Sequence, residues 1–175
     1  MELILEAWTA VAIAWWVIAA TLVALGGRKV EQPTAVDNRR ITFFKPVASP
    51  LSDDEHSEIR ACIETFVAEL DDNCELLLGS HVRDEARWRA DLDDMSRRYP
   101  NADVRLVAHA DPNHYPNAKV TWMKLLSEEA TGELWFWSDS DMVAPSGTMA
   151  SLRRDLVGGE AKMMTSPYVI RRPGE

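Results

Sequence analysis

The sequence is short of positive charge. It carries 19 Lys and Arg against 28 Asp and Glu, a formal net charge of -9 over 175 residues. A protein that grips a phosphate backbone needs a basic face, so nucleic acid is not an expected partner. The acid excess lies in 53–72 and 84–94, where it alternates with apolar residues in the manner of solvated helix faces. Cysteine is scarce too. Cys62 and Cys74 form no C-x-x-C pair and neither lies near a histidine at metal spacing. The four histidines, His56, His81, His109 and His114, are scattered and make no ligand set. No disulfide is expected, and Cys62 reads as a small core residue on the apolar face of a helix.

The amino end lacks Lys and Arg altogether, and from Leu3 to Gly27 the only charge is Glu6. A helix needs about 20 apolar residues to cross the hydrocarbon core, which Leu3–Leu25 supplies, so 1–27 is expected to be a transmembrane helix. A secretory signal, the rival, wants a basic start and an apolar run of about 7 to 15 residues. Here the start is acidic, at Glu2, and the run is longer. Arg28 and Lys29 follow directly, then Arg39 and Arg40. Positive residues stay inside. The expectation is a cell-membrane protein with a single amino-terminal anchor and a cytoplasmic soluble domain, a compartment that suits two unpaired cysteines. Residues 28–40, polar and interrupted by Pro33, read as a juxtamembrane linker.

From 41 onward, short apolar runs alternate with helical patterns. Strands are expected at Ile41–Phe44, Glu75–Leu78, Val104–Val107 and Leu134–Trp137, with a fifth beginning at Lys162–Thr165. Helices are expected at Asp53–Leu70, Asp84–Tyr99, Ala118–Ala130 and Ser146–Val157, where apolar residues recur at 3–4 spacing. That order implies an α/β fold, a mostly parallel sheet with helices on both faces. Such sheets bind ligands outside the carboxyl ends of their strands. Lys45-Pro46, Gly79–Asp84 and Asp139–Asp141 all fall at that edge. Trp135 and Trp137, on a strand buried on both faces, are expected to be core.

The stretch ELWFWSDSDMVAP runs four large apolar residues into two carboxylates, Asp139 and Asp141. Like charges that close repel, so something positive is expected beside them. Two carboxylates one residue apart offer hard oxygen ligands. They suit Mg²⁺ or Mn²⁺, which complete their shell with water and substrate phosphates. An Asp-x-Asp by itself is common, and Asp91-Leu92-Asp93 is another, on what reads as a helix surface. Only 139–141 ends a buried strand. The plain alternative is a solvated acidic turn capping the 146–157 helix.

In order, ITFFKPVASP, ELLLGSHVRDEA, YPNADVRLVAHADPNHYPNAKVTWMKLL and LWFWSDSDMVAPSGTMASL resemble the amino-terminal half of membrane-anchored, family-two-like glycosyltransferases. The likeness is to ceramide glucosyltransferases and the related hopanoid-biosynthesis-associated enzymes, over roughly residues 1–165. It implies a GT-A fold, preceded by the transmembrane helix, over 41–175, with the carboxy-terminal part of the fold missing. It also implies a nucleotide-sugar donor, usually a UDP-hexose, and a membrane lipid hydroxyl as acceptor.

Carried over by residue, Asp84 resembles the nucleotide-contacting Asp, Asn117 and Lys119 the Asn-x-Lys of the donor pocket, and Asp139 and Asp141 the metal and donor motif. Each has a plain alternative: an acidic residue favoured by the dipole at a helix start for Asp84, a helix cap and a surface lysine for Asn117 and Lys119. Lys45-Pro46 is expected to shape the first loop. The family's catalytic base and its Arg-Trp motif are not found after Asp141, where Asp155 and Glu160 are the only acids before Glu175. The base is expected beyond residue 175. The competing reading is a membrane-tethered nucleotide-binding or scaffold fragment without catalysis.

Overall fold

Two inner strands and the four helices that cover them hold most of the buried residues described. The computed structural model describes residues 2–26, 37–47, 51–110 and 117–156. Helix α1, Glu2–Gly26, belongs to a unit of its own, Met1–Thr34, and the remaining elements to a second, Ala35–Glu175. Those elements are β1 (Ile41–Pro46), α2 (Asp53–Val67), β2 (Cys74–His81), α3 (Glu85–Arg98), β3 (Asp103–His109), α4 (Ala118–Glu129), β4 (Leu134–Trp137) and α5 (Thr148–Leu156). The expected strand at 162–165 lies outside the described residues.

The transmembrane span expected over 1–27 falls on α1. Among the described residues no helix is long and apolar enough to cross a membrane.

The four strands pair in the order β3-β2-β1-β4, every pair parallel. β1 is central, and its first five residues are buried. Residues 41 and 43 of β1 and 74, 76 and 78 of β2 face a core shared with Ile63, Phe66, Trp88, Met95 and Leu152, so α2, α3 and α5 cover this face. Phe44 and Leu77 face the opposite side and meet Trp122 and Leu126 of α4. Gly79 permits that contact: a Cβ there would lie 2.7 Å from the Trp122 ring.

Local chemistry starts and joins these helices. Ser52 and Glu55 form a reciprocal capping box at the head of α2, whose first turn is acidic, in keeping with the helix dipole. Ion pairs then lace α2 to α3, Asp53 with Arg87, Arg60 with Asp91 and Asp94, and Glu64 with Arg98, and the His56 ring meets Asp91 at 2.6 Å. Asp91 is therefore half-buried in an ion network, where the sequence suggested a free helix surface. Arg39 and Arg40 are also paired, with Asp37 and Asp103. Both cysteines are free, and Cys62 is half-buried rather than fully in the core.

The tryptophan strand corrects another expectation. Among the described residues β4 is an edge strand, paired with β1 on one side, and Trp135 is 53% exposed. Its indole N–H donates to the Gly132 carbonyl. Trp137 is half-buried and stacks on Phe44 with ring centroids 3.8 Å apart.

Candidate active site

The chain passes from β1 to β2 to β3 on one side, then returns to place β4 on the other side of β1. That reversal falls at the carboxyl ends of β1 and β4, the place where α/β sheets bind ligands. β1 delivers Lys45 to it and β4 delivers Ser138–Met142. The pairing continues past the strand end, with the Ser138 amide donating to the Phe44 carbonyl at 3.2 Å. The turn then closes when the Met142 amide reaches the Asp139 carbonyl at 3.3 Å.

The positive partner that the acidic turn called for is present twice. Lys45 lies beneath it and is fully buried. Its ammonium donates to Ser138 Oγ at 2.9 Å, to the Asp139 carbonyl at 2.8 Å and to the Met142 carbonyl at 3.2 Å. The Phe66 ring closes the opposite side, 3.5 Å from Nζ to the centroid. Burial pushes the Lys45 pKa down to about 7, and Asp139 and Asp141 are among the charges that oppose the shift. Lys119, in the first turn of α4, pairs from the solvent side, with Nζ 2.5 Å from Asp139 Oδ1. Asp139 and Asp141 are themselves exposed.

The other candidates fall on the same edge with different duties. Asn117 caps α4, its side-chain oxygen accepting from the Lys119 amide at 2.9 Å, which is the plain alternative for that residue. The cap fixes where Lys119 leaves the helix. Asp84 holds the N-cap position of α3, yet its side chain makes no capping hydrogen bond. Its amide donates to the His81 carbonyl and its carbonyl accepts from the Trp88 amide, each at 3.0 Å. β2 and β4 lie two strand spacings apart across β1, about 10 Å. Loops 82–84 and 138–142 thus follow strands on either side of β1 at the same edge of the sheet.

Among the described residues no group of three or more His, Cys, Asp or Glu side chains is placed to hold a metal. Asp139 and Asp141 stand one residue apart on the turn, both exposed. That matches the habit of Mg²⁺ and Mn²⁺, which take one or two protein carboxylates and fill the rest of the shell with water and phosphate oxygens.

Residues 4–174 match glycosyl transferase family 21. The chain belongs to glycosyl transferase family 21. Among solved structures it is similar to a mannosyltransferase from Pyrobaculum calidifontis, determined in complex with GDP-Man and Mn²⁺, at 16% identity and a TM-score of 0.56. That match covers 84% of this chain and 39% of the mannosyltransferase, so this chain spans about two fifths of that protein's length. No curated protein matches the chain. The likeness establishes a parallel, Rossmann-like α/β fold of the GT-A kind in this family 21 chain.

Lys45 is the residue that sequence reasoning under-read. Its signal was present: a lone cation in ITFFKP, a run otherwise buried, must find polar partners. Its partners, 93 to 97 residues further on, were not visible without the strand order.

Proposed function

We propose that this family 21 chain binds the donor for transfer of a sugar, from a UDP-hexose-type nucleotide to a membrane lipid hydroxyl of the ceramide or hopanoid kind. One observation carries the reading: two exposed carboxylates, Asp139 and Asp141, stand on a tied turn at the reversal point of a parallel sheet. Asp139 and Asp141 would hold Mg²⁺ or Mn²⁺. When bound, that ion supplies charge neutralisation for the departing diphosphate. Lys119, capped into position by Asn117, adds a point charge suited to phosphate oxygens. Asp84, at the head of α3 on the other side of β1, would contact the nucleoside end. The family and the neighbour solved with GDP-Man and Mn²⁺ support a nucleotide sugar and a divalent ion.

The membrane side of the proposal rests on α1. Glu2–Gly26 form one continuous helix of 25 residues. Its apolar side chains are bare around the helix: Trp8, Val11, Ile13, Trp15, Trp16, Val17 and Ile18 are all exposed. A helix that apolar on every side fits lipid better than water. Arg28 and Lys29, directly after α1, support a cytoplasmic side for the donor-binding domain.

Calorimetry tests the site. The chain is expected to bind UDP in the presence of Mn²⁺, and Asp141→Asn to abolish the Mn²⁺-dependent part. Unchanged binding in that variant removes Asp141 from the metal site. Turnover separates the two classes of function: loss of the hexose from the donor when lipid acceptor is added marks a catalyst, and tight donor binding with no turnover marks a binding fragment.

A further inference from the structure

The tie between Lys45 and the acidic turn has a functional reading that rests on the proposed metal site. An ammonium has three donors, and Lys45 spends all three on the segment Ser138–Met142: one side-chain oxygen and two carbonyls. Those acceptors bracket both carboxylate-bearing residues. The same Asp139 carbonyl also takes bonds from the Met142 amide and the Ser138 hydroxyl. The turn is wrapped around one nitrogen, and that nitrogen is clamped from behind by the Phe66 ring. Phe66 is itself buried in the α2 core. The rigid sheet and the α2 core thus fix the place from which the side chains of Asp139 and Asp141 project. A helix or strand would give such precision by its own backbone bonds. A five-residue turn at an edge strand has few, and Lys45 replaces them.

We propose that Lys45 is a positioning residue for the metal–nucleotide site: its buried ammonium pre-organises the 138–142 turn so that Asp139 and Asp141 meet a divalent cation together. The chemistry resembles that of residues that orient metal ligands from behind without touching the metal, whose removal typically costs about 10–100-fold in metal affinity. The sign is informative. If Lys45 were only a charge neighbour, removing it would relieve repulsion on an incoming cation and tighten binding. If it positions the turn, removing it weakens binding.

The experiment measures Mn²⁺ affinity in the presence of UDP, from loss of the free-ion signal in electron paramagnetic resonance, for wild type, Lys45→Met and Asp141→Asn. Methionine keeps the apolar stem against Phe66 and removes the three donors. The expected result is Mn²⁺ binding in wild type, none in Asp141→Asn, and about 10–100-fold weaker binding in folded Lys45→Met. Affinity in Lys45→Met equal to or tighter than wild type, with Asp141→Asn inactive, overturns the positioning role and leaves the metal site standing. No Mn²⁺ binding in wild type, or normal binding in Asp141→Asn, overturns the metal site and the role of Lys45 with it. Should Lys45→Met fail to fold, Ser138→Ala removes one acceptor and keeps the ammonium. It is expected to weaken Mn²⁺ several-fold, and an unchanged affinity there overturns the proposal equally.

Discussion

Glu75 is the buried charge whose worth can be worked out most directly. It sits in β2 with no exposure, where a carboxylate by itself is costly. Burial raises its pKa. Four donors outweigh that: the Thr42 hydroxyl at 2.5 Å, the Thr131 and Gly132 amides at 2.6 and 3.2 Å, and the Arg105 guanidinium at 2.6 Å. The result is a pKa lowered from the ordinary 4.5 to about 2. At 1.36 kcal/mol per unit, the folded state gains roughly 3 kcal/mol at pH 7 from holding this group ionised.

The sign follows from proton counts. Between about pH 2 and 4.5 the unfolded chain binds the proton that the folded chain refuses, so stability rises with pH there. The contribution is complete above the unfolded pKa and is lost as pH falls through the folded one, with roughly half remaining at pH 3. Glu75→Gln lacks the titration. Equilibrium urea unfolding of both proteins, followed by circular dichroism from pH 7 to pH 3, should show the variant less stable by about 3 kcal/mol at neutral pH, with the gap closing by about half at pH 3. Parallel curves across that range, or a gap under about 1 kcal/mol at pH 7, would refute the reasoning. The point reaches the site, because Thr131 and Gly132 lead into β4, the strand that presents Asp139.

Two other substitutions probe how the sheet is held. Gly79→Ala drives a Cβ to 2.7 Å from the Trp122 ring and 3.2 Å from Leu126; overpacking of this kind costs about 1–3 kcal/mol, and displacing α4 should weaken UDP binding by moving Lys119, both readable by urea unfolding and calorimetry. Arg153→Met removes a buried guanidinium bound to both Asp71 oxygens and to the carbonyls of Asp37 and Arg39. Because Asp71 can turn to water, the loss should sit near the low end of the roughly 3–5 kcal/mol for a broken buried pair, and trypsin should cut faster at Arg39 and Arg40.

Much of this molecule could be read from residue order. All eight expected elements between 41 and 157 exist, β4 over the residues expected and α4 to within one. The strands expected at 41–44, 75–78 and 104–107 stop short of Lys45-Pro46, of Gly79–His81, and of Asp103 and His109, where polar residues, glycine or proline interrupt the apolar run. Polar residues extend a buried strand only when partners from other strands satisfy them, as Thr42 and Arg105 do for Glu75, and those partners are distant in the chain. The burial of Trp135 was misjudged for a related reason. Composition says that a strand is apolar, but its place at the edge of the sheet depends on which neighbour it finds.

Periodicity, punctuation and motif order by themselves determined the α/β class, the carboxyl-edge location of the acidic turn, and the need for a cation beside it. These are local facts: 3–4 and 2-residue repeats, and like charges one residue apart. The tertiary structure decided which cations answer the need. It brought Lys45 under the turn and Lys119 above it, from 94 and 20 residues away. It also assigned Asn117 to a cap and Asp91 to an ion network. Side chains that far apart in sequence meet only through strand order and helix placement, which follow from burial of the whole sheet rather than from any one segment.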